Sequence, residues 1–246
     1  MKLREGIIVR SQKYQENSKI ISLINDEELT TFLLRGGANL KSRNFAYANE
    51  LVKIGYDYTA KSADSLKIMT TGTILNNYTN IKTDFNKLND ALLILESTYQ
   101  LGDHITDFTT YYYFTDDILN LLNDNPYTPY YLIIYRLKIL YLLGVGPVFS
   151  KCINCDSKEN LKGFVFLNGG MHCADCASVT DSFYQEDVIA LLKFLYLTKL
   201  PNLSIEALNK LPNYLSELSK FLDMYYETFL GYRSRAEKVI KKMKTY

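Results

Sequence analysis

The periodicity of the apolar residues changes once along the chain, near residue 80, and this change restricts the possible folds. Before it, short runs rich in β-branched residues alternate between apolar and polar positions, as β-strands with one buried face do. Polar or glycine-containing segments typical of turns separate the runs. The runs cover 6–10, 19–24, 29–34, 48–54 and 65–73. Five short strands in so few residues predict a small barrel of the OB type, a partly open fold that often binds oligonucleotides.

From Asp84 onward the apolar residues recur at helical spacing. Asp84 can cap the first helix, and Thr115 is predicted to cap a helix that begins at Asp116. Thr128 followed by Pro129 predicts the start of a further helix. The predicted helices cover 85–99, 116–122, 129–143, 182–197, 204–210 and 212–230. We therefore predict an α+β chain, with the barrel in residues 1–80 and an otherwise all-helical domain in residues 81–246.

The composition is that of a globular protein, with 47% hydrophobic and 22% charged residues. The longest apolar stretch, at 130–146, contains Arg136 and Lys138, so it falls short of the roughly 20 apolar residues that a membrane span needs. The first residues also lack the apolar core of a secretory signal. We expect a cytoplasmic protein without a membrane segment.

All four cysteines fall in two C-x2-C pairs separated by 17 residues, Cys152 with Cys155 and Cys173 with Cys176. This spacing is typical of Zn²⁺ sites with four thiolate ligands, which leave no position open for catalysis. A glycine-containing turn between the pairs predicts a hairpin, so we expect a zinc ribbon or knuckle in segment 150–178 that binds structural Zn²⁺. Disulfides or unpaired thiols are the alternatives, and a reducing cytoplasm disfavours the disulfides.

Catalytic motifs are missing from the sequence. Neither His104 nor His172 lies in an HExxH or GxSxG arrangement, and Gly36-Gly37 lacks the spacing of a phosphate-binding loop. We therefore predict that the protein is not an enzyme. A metal-dependent nuclease or deaminase is the enzymatic alternative, although the sequence lacks the zinc-deaminase signature.

An ordered set of segments runs through the whole chain. They are GIIVRSQKYQENSKIISLI at 6–24, RGGANLKSR at 35–43, YRLKILYLLGVGP at 135–147, CINC, HCADC, and FLDMYYETFLGYRSRA at 221–236. Their order, the chain length and the join of LLGxGP to the first C-x2-C pair resemble the RecO family of bacterial DNA repair proteins.

The resemblance implies a recombination mediator with an N-terminal OB domain and a helical C-terminal domain that carries a zinc site. Such proteins bind single- and double-stranded DNA and anneal complementary strands. They contact the acidic tail of the single-strand-binding protein, SSB, and work with RecR to load RecA onto SSB-coated single strands. The resemblance also implies a location at the bacterial nucleoid.

The net charge of +1 does not by itself indicate nucleic-acid binding. The prediction of a DNA-binding site therefore depends on where the cations lie. Flexible cations at strand ends and turns can reach phosphates, and Tyr14 can stack on a base. Phe32 is a second possible platform, with a core position as the alternative. The predicted DNA-binding residues are Arg10, Lys13, Tyr14, Lys19, Arg35, Lys41 and Arg43.

We predict a second site for the SSB tail at Arg136 and Lys138, two cations among leucines on one helix. Ordinary helix amphipathicity is the alternative. Residues 233–246 form a basic C-terminal segment that suits either solubility or nucleic-acid binding. A different function, a zinc-ribbon adaptor that binds RNA or a polymerase, is the alternative to the DNA-binding mediator.

Overall fold

The computed structural model describes residues 3–62 and 65–235. Its first five strands are β1 (Arg4–Tyr14), β2 (Ser18–Ile24), β3 (Leu29–Leu34), β4 (Lys53–Thr59) and β5 (Lys67–Asn76). They close a barrel in the order β1-β2-β3-β5-β4, and β4 pairs back onto β1. The β3–β5 pair is parallel and the other neighbours are antiparallel. The predicted five-stranded OB-type barrel is confirmed.

Alternate residues of β2, β3 and β4 fill the barrel interior, and Ile8 of β1 and Met69 of β5 complete this core. Ile21 pairs with Phe32 across β2 and β3, and both are fully buried. The Phe32 ring meets Tyr56 edge-on, with the centroids 5.3 Å apart, so Phe32 is a core residue rather than a base platform.

The fourth strand begins at Lys53 and not at residue 48 as the alternation predicts. Residues 48–52 include Leu51 at φ 59°, a left-handed conformation that breaks an extended strand. Two backbone hydrogen bonds hold this segment against β1, Leu51 N–H to the Ile8 carbonyl and Ile8 N–H to the Val52 carbonyl, each at 3.0 Å. Its apolar side chains are therefore buried in a loop, which gives the same sequence pattern as a buried strand.

Three helices follow the barrel, α1 (Thr79–Thr83), α2 (Phe85–Gln100) and α3 (Phe108–Asp124). Asp84 caps α2 as predicted, because its carboxylate accepts from the N–H groups of Asn86 and Lys87. The predicted cap at Thr115 is wrong. Asp107 caps α3, and Thr115 lies buried inside that helix, where its hydroxyl donates to the Tyr111 carbonyl. A threonine hydroxyl can form a hydrogen bond at a helix N-cap or inside a helix, so the residue type alone does not distinguish these two positions.

The remaining elements are α4 (Tyr130–Leu142), β6 (Val148–Cys152), β7 (Leu161–Val165), β8 (Gly170–Cys173), α5 (Glu186–Leu197), α6 (Ile205–Leu208) and α7 (Leu215–Leu230). Strand β8 lies between β6, its parallel neighbour, and β7, its antiparallel neighbour. Gly144 and Gly231 follow α4 and α7 with positive φ, as predicted for helix ends. A helical region with a small cysteine-bearing sheet confirms the predicted fold class.

The described residues form two compact units, the first up to Tyr127 with Ser234 and Arg235, the second Thr128–Arg233. In the second unit, aromatic rings join the small sheet to α7. Phe164 of β7 and Phe166 both meet Phe221 edge-on, with centroids 5.6 and 5.5 Å away. The sheet therefore packs on a helix and does not depend on its own few residues. A domain boundary near residue 80 stays a prediction.

No helix in the described part of the chain is long and apolar enough to cross a membrane.

Candidate nucleic-acid interface and metal centre

One end of the barrel gathers most of the predicted DNA-binding residues. Lys13 pairs with Lys19 across β1 and β2, and Lys19 pairs with Leu34 across β2 and β3. The backbone N–H of Ala38 donates to the Asn17 carbonyl at 3.2 Å, which joins the loop after β3 to the β1–β2 turn. We call this end the cationic rim; it consists of Lys13, Lys19, Arg35, Lys41 and Arg43.

The loop that carries three of these cations is fixed by its own hydrogen bonds. Gly36 has φ +72°, and a side chain there would meet the Ser42 hydroxyl at 2.5 Å. The Asn44 amide donates to the Arg35 carbonyl at 2.8 Å and accepts from the Tyr47 hydroxyl at 2.6 Å. These bonds hold the backbone at both ends of the loop, so the cations extend from a fixed base.

Four of the rim cations are exposed and lack a carboxylate partner in the part of the chain that the structure describes. Lys13, Arg35, Lys41 and Arg43 have no acidic group within 4 Å anywhere in residues 3–62 and 65–235. Such cations stay available to an external anion, and phosphate is the anion that DNA presents.

Two other predicted residues of this region differ in their surroundings. Lys19 donates from Nζ to the Ala48 carbonyl at 3.0 Å and to Asn49 Oδ1 at 2.8 Å, so its ammonium group is held by the protein. Tyr14 is 42% exposed at the end of β1, where its ring is accessible for stacking.

Arg10 is not brought to the rim. It pairs with Ser22 in the middle of β1, three residues or ~10 Å from Lys13 along the strand. Its guanidinium lies over the Tyr99 ring of α2, 4.4 Å from the centroid. The structure thus groups six of the seven predicted residues and sets Arg10 apart.

Leu40 is a candidate that sequence reasoning missed. It is 79% exposed beside Lys41 in the rim loop, where an apolar side chain can contact bases or sugars. A single leucine in a polar loop carries no sequence signal of exposure, and only the loop conformation shows it.

The four cysteines converge in the second unit. Cys152 and Cys173 end β6 and β8, and the partner of each follows in a turn. The two turns match, since Asp156 N–H donates to the Cys152 carbonyl at 3.0 Å and Ala177 N–H donates to the Cys173 carbonyl at 2.9 Å. These paired turns explain why sulfurs three residues apart face a common centre.

The sulfur positions fit a tetrahedral metal ion. All four Sγ atoms lie within 4.8 Å of one another, and Cys155 Sγ is 3.7 Å from Cys173 Sγ. A tetrahedron with metal–sulfur bonds of ~2.3 Å has sulfur–sulfur edges of about 3.8 Å. The four side chains can therefore hold a metal ion.

The thiols influence one another. Burial raises the pKa of Cys152, but backbone hydrogen bonds from Cys173, Asn154 and Cys155 outweigh burial and lower that pKa to about 6. Hydrogen bonds with Cys155 and then Cys173 raise the pKa of Cys176 to about 12. The Cys152 thiolate thus forms readily while the Cys176 thiol keeps its proton, and a cation at the centre would favour the loss of that proton.

His172 is buried next to Cys173 and is not part of this four-sulfur group. Its Nδ1 lies 2.8 Å from Asp181 Oδ2, so the imidazole has a carboxylate partner.

Comparison with known proteins adds independent information. A family model described as "Recombination protein O C terminal" matches residues 83–236, more than half of the chain. The chain belongs to the RecO family. It is 25% identical over 243 residues to "DNA repair protein RecO" of Listeria monocytogenes serotype 4b, covering 97% of this chain and 93% of the relative. It is 28% identical over 236 residues to the protein of that name from Caldanaerobacter subterraneus subsp. tengcongensis, covering 92% of each chain.

The family match includes α4, which carries the predicted SSB-tail residues Arg136 and Lys138. Each of these two side chains has a partner within the second unit. Arg136 contacts Asp223 at 2.8 Å, and its guanidinium lies 5.0 Å from the Tyr226 ring centroid. Lys138 donates to the carbonyls of Tyr196 at 2.9 Å and Thr198 at 2.7 Å. These contacts give both cations a structural task in this RecO family member, and their role in partner binding stays a prediction.

Proposed function

We propose that this chain acts in DNA repair and homologous recombination as a DNA-binding mediator. Its membership in the RecO family, whose relatives carry the name DNA repair protein RecO, supports the repair role. The cationic rim supports the DNA-binding role, because four exposed cations that have no carboxylate partner among the described residues lie on or beside a fixed loop at one end of an OB-type barrel.

The proposed recognition is of the phosphate backbone. Contacts to phosphates carry no sequence information, so the protein binds single- and double-stranded DNA of any sequence, with an affinity that falls steeply with salt. Tyr14 adds a stacking contact worth ~1–3 kcal/mol for one base of a single strand.

Annealing follows from binding two strands at once. Strands held on one protein reach a high effective concentration for each other, and base pairing then proceeds without ATP or a catalytic residue. We therefore infer a non-enzymatic role in the cytoplasm, at the nucleoid. In this proposal RecR and the protein together help RecA to load onto single strands that SSB covers.

We further propose that Cys152, Cys155, Cys173 and Cys176 bind Zn²⁺ as a structural ion. Four thiolates complete the coordination of Zn²⁺ and leave no position for water, so the ion contributes to folding and not to chemistry.

The proposed site for the acidic SSB tail remains Arg136 and Lys138. A tail carboxylate would compete with Asp223 for Arg136, which Asp223 contacts at 2.8 Å. Titration of the protein with a tail peptide tests this directly, and the Lys138→Met variant is the informative one because it leaves the Arg136–Asp223 pair intact. Unchanged affinity in Lys138→Met would remove Lys138 from the site.

The central experiment is annealing of complementary oligonucleotides, bare and coated with the cognate SSB, without ATP and over a salt series. Salt-sensitive acceleration on both substrates supports the mediator. Faster annealing of bare strands alone would support the proposed DNA interface and contradict the proposed interaction with SSB. No acceleration at low salt, together with a preference for RNA or a polymerase, would favour the zinc-ribbon adaptor.

A further inference from the structure

Arg10 lies on the outer face of the barrel, between the cationic rim and α2. Successive residues of a strand point to opposite faces, so Arg10, Gln12 and Tyr14 share one face of β1. The other face carries Ser11, whose partner on β2 is the buried core residue Ile21. The outer face of β1 therefore leads from Tyr14, at the rim end of the strand, to Arg10.

Two neighbours hold the Arg10 side chain in one orientation. Its guanidinium lies over the Tyr99 ring of α2, 4.4 Å from the centroid. With its amide oxygen turned towards Arg10, Gln12 accepts from Nε at 2.7 Å and also from Nη2. A guanidinium that is already held in place loses little rotational freedom when it binds a ligand.

The guanidinium of Arg10 keeps hydrogen-bond donors for a ligand. It has five N–H groups, of which Gln12 engages those on two nitrogens, and the described residues supply no acceptor for Nη1. Nη1 is not among the buried polar atoms without a partner, so it is accessible from solvent. No carboxylate lies within 4 Å of Arg10 in residues 3–62 and 65–235. These donors are therefore available to an external anion.

A phosphate group of DNA suits this position. The planar guanidinium matches the oxygens of a phosphate, and its charge strengthens the hydrogen bonds. Arg10 is three residues, or ~10 Å, from Lys13 along β1. A strand that contacts Lys13 at the rim can therefore extend to Arg10.

The basic C-terminal segment begins beside the same part of α2. Glu96 lies one helical turn before Tyr99, where it accepts from the Ser234 hydroxyl and from the Arg235 N–H, the latter at 2.9 Å. The exposed Arg235 has no carboxylate within 4 Å among the described residues. The sequence continues, outside the described residues, with Lys238, Lys241, Lys242 and Lys244. Further positive charge thus follows in the chain directly after this contact with α2.

We propose that a single DNA strand bound at the cationic rim continues along the outer face of β1 and places a phosphate on Arg10. Tyr99 and Gln12 are positioning residues, because they act through Arg10. The inference rests on the proposed binding of DNA at the rim and extends that site towards α2. A short strand occupies the rim alone, whereas a longer strand contacts both the rim and Arg10.

Binding of oligothymidylates of different length tests the proposal, over the roughly 4–16 nucleotides that OB-fold sites cover. Fluorescence anisotropy over a salt series measures the affinity of the full chain. Arg10→Gln should bind the shortest strand as the wild type does and the longest roughly tenfold more weakly. For the longest strand the slope of log affinity against log salt should fall by about 0.7, the contribution of one phosphate contact. Equal affinity of variant and wild type at every length would overturn the proposal, as would an equal loss at every length.

Two further variants separate a positioned contact from charge alone. Lys193→Gln removes one positive charge from an exposed position of α5 and should leave every affinity unchanged. Arg10→Lys keeps the charge but lacks the planar group, so it should bind the longest strand several-fold more weakly than the wild type. A loss in Lys193→Gln as large as that in Arg10→Gln, or wild-type affinity in Arg10→Lys, would contradict a positioned contact.

Tyr99→Leu tests the positioning role. It should weaken binding of the longest strand while the salt slope stays the same, because Arg10 keeps its charge. The double variant Arg10→Gln/Tyr99→Leu should bind no more weakly than Arg10→Gln, since both changes remove one contact. Additive losses would show that Tyr99 does not act through Arg10.

A rim variant distinguishes failure of this inference from failure of the proposed function. Lys41→Glu/Arg43→Glu changes the rim and should weaken binding at every length. If that variant bound all lengths as the wild type does, the rim would not be the DNA interface, and both proposals would be wrong. If it weakened all lengths while Arg10→Gln changed none, the rim would stand and the path along β1 would be wrong.

Discussion

Lys53 of β4 and Asp116 of α3 form an ion pair with Nζ and Oδ2 2.7 Å apart, and this pair joins the barrel to a helix of the same unit. The Tyr78 hydroxyl donates to the other carboxylate oxygen at 2.9 Å. Both members of the pair are largely buried, with side chains 17% and 11% exposed. Asp116 thus receives two partners from outside its own helix.

We expect Lys53→Met to destabilise the first unit by about 2–4 kcal/mol, because it leaves a buried carboxylate without its cation. Chemical denaturation measures this loss. In Lys53→Met/Asp116→Asn the buried charge is removed as well, so the double variant should be more stable than Lys53→Met alone. A double variant as unstable as the sum of the single variants would show that the two residues are not coupled.

Asp116 also shows where the sequence is informative and where it is not. Its neighbour Thr115 and its acidic character match the start of a helix, yet seven residues of α3 precede Thr115. The deciding contacts, with Lys53 and Tyr78, come from 63 and 38 residues away, and no local pattern contains them.

The barrel and the cysteine site were predictable for opposite reasons. The short runs rich in β-branched residues in β1, β2 and β3 indicate buried strands, and the C-x2-C spacing indicates a local turn that recurs in many proteins. The cationic rim could be recognised only from the fold, because Lys13 and Arg35 are far apart in sequence and strand register brings them to the same barrel end.

The second prediction concerns the rim. Lys41→Glu/Arg43→Glu should weaken binding of single-stranded DNA and reduce the slope of log affinity against log salt by about 1.4, because each lost phosphate contact contributes ~0.7. Fluorescence anisotropy over a salt series measures both quantities. The control Lys193→Glu/Lys210→Glu makes the same charge change at exposed positions of the second unit. If the control lost as much affinity, the rim would not be the interface.

The third prediction concerns the proposed Zn²⁺ site at the four cysteines. Removal of Zn²⁺ by a chelator should increase hydrogen exchange in β6, β7 and β8 and lower the stability of the second unit, since a structural ion contributes its binding energy to folding. DNA binding by the rim at low salt should persist. Metal removal that abolished DNA binding while the melting curve stayed the same would contradict a structural role.

The affinity of the four cysteines for Zn²⁺ should depend on pH. Hydrogen bonds with Cys155 and Cys173 hold the pKa of Cys176 at about 12, so this thiol is protonated at neutral pH before an ion binds. Binding of Zn²⁺ therefore releases protons, and the affinity should fall as the pH is lowered. Titration calorimetry in buffers of different ionisation enthalpy counts the released protons, and a count of zero would contradict four thiolate ligands.

The fourth prediction concerns Lys138, whose ammonium donates to the carbonyls of Tyr196 and Thr198 at the end of α5. We expect Lys138→Met to lower the stability of the second unit by about 1–3 kcal/mol, because two carbonyl groups lose a charged donor. Lys193→Met, at an exposed position of α5, should change stability by less than about 0.5 kcal/mol. Equal stability of the two variants, measured by thermal melting, would contradict the capping role.

If the cationic rim binds DNA as we propose, the hydrogen bonds of Asn44 within the rim loop affect how fast a strand is captured. A loop that must order itself slows association, whereas a loop already fixed by the Arg35 carbonyl and the Tyr47 hydroxyl leaves only side-chain rotation and diffusion. In the proposed complex, electrostatic attraction then governs the encounter with a strand, and the number of phosphates that the cations hold sets the lifetime of the complex.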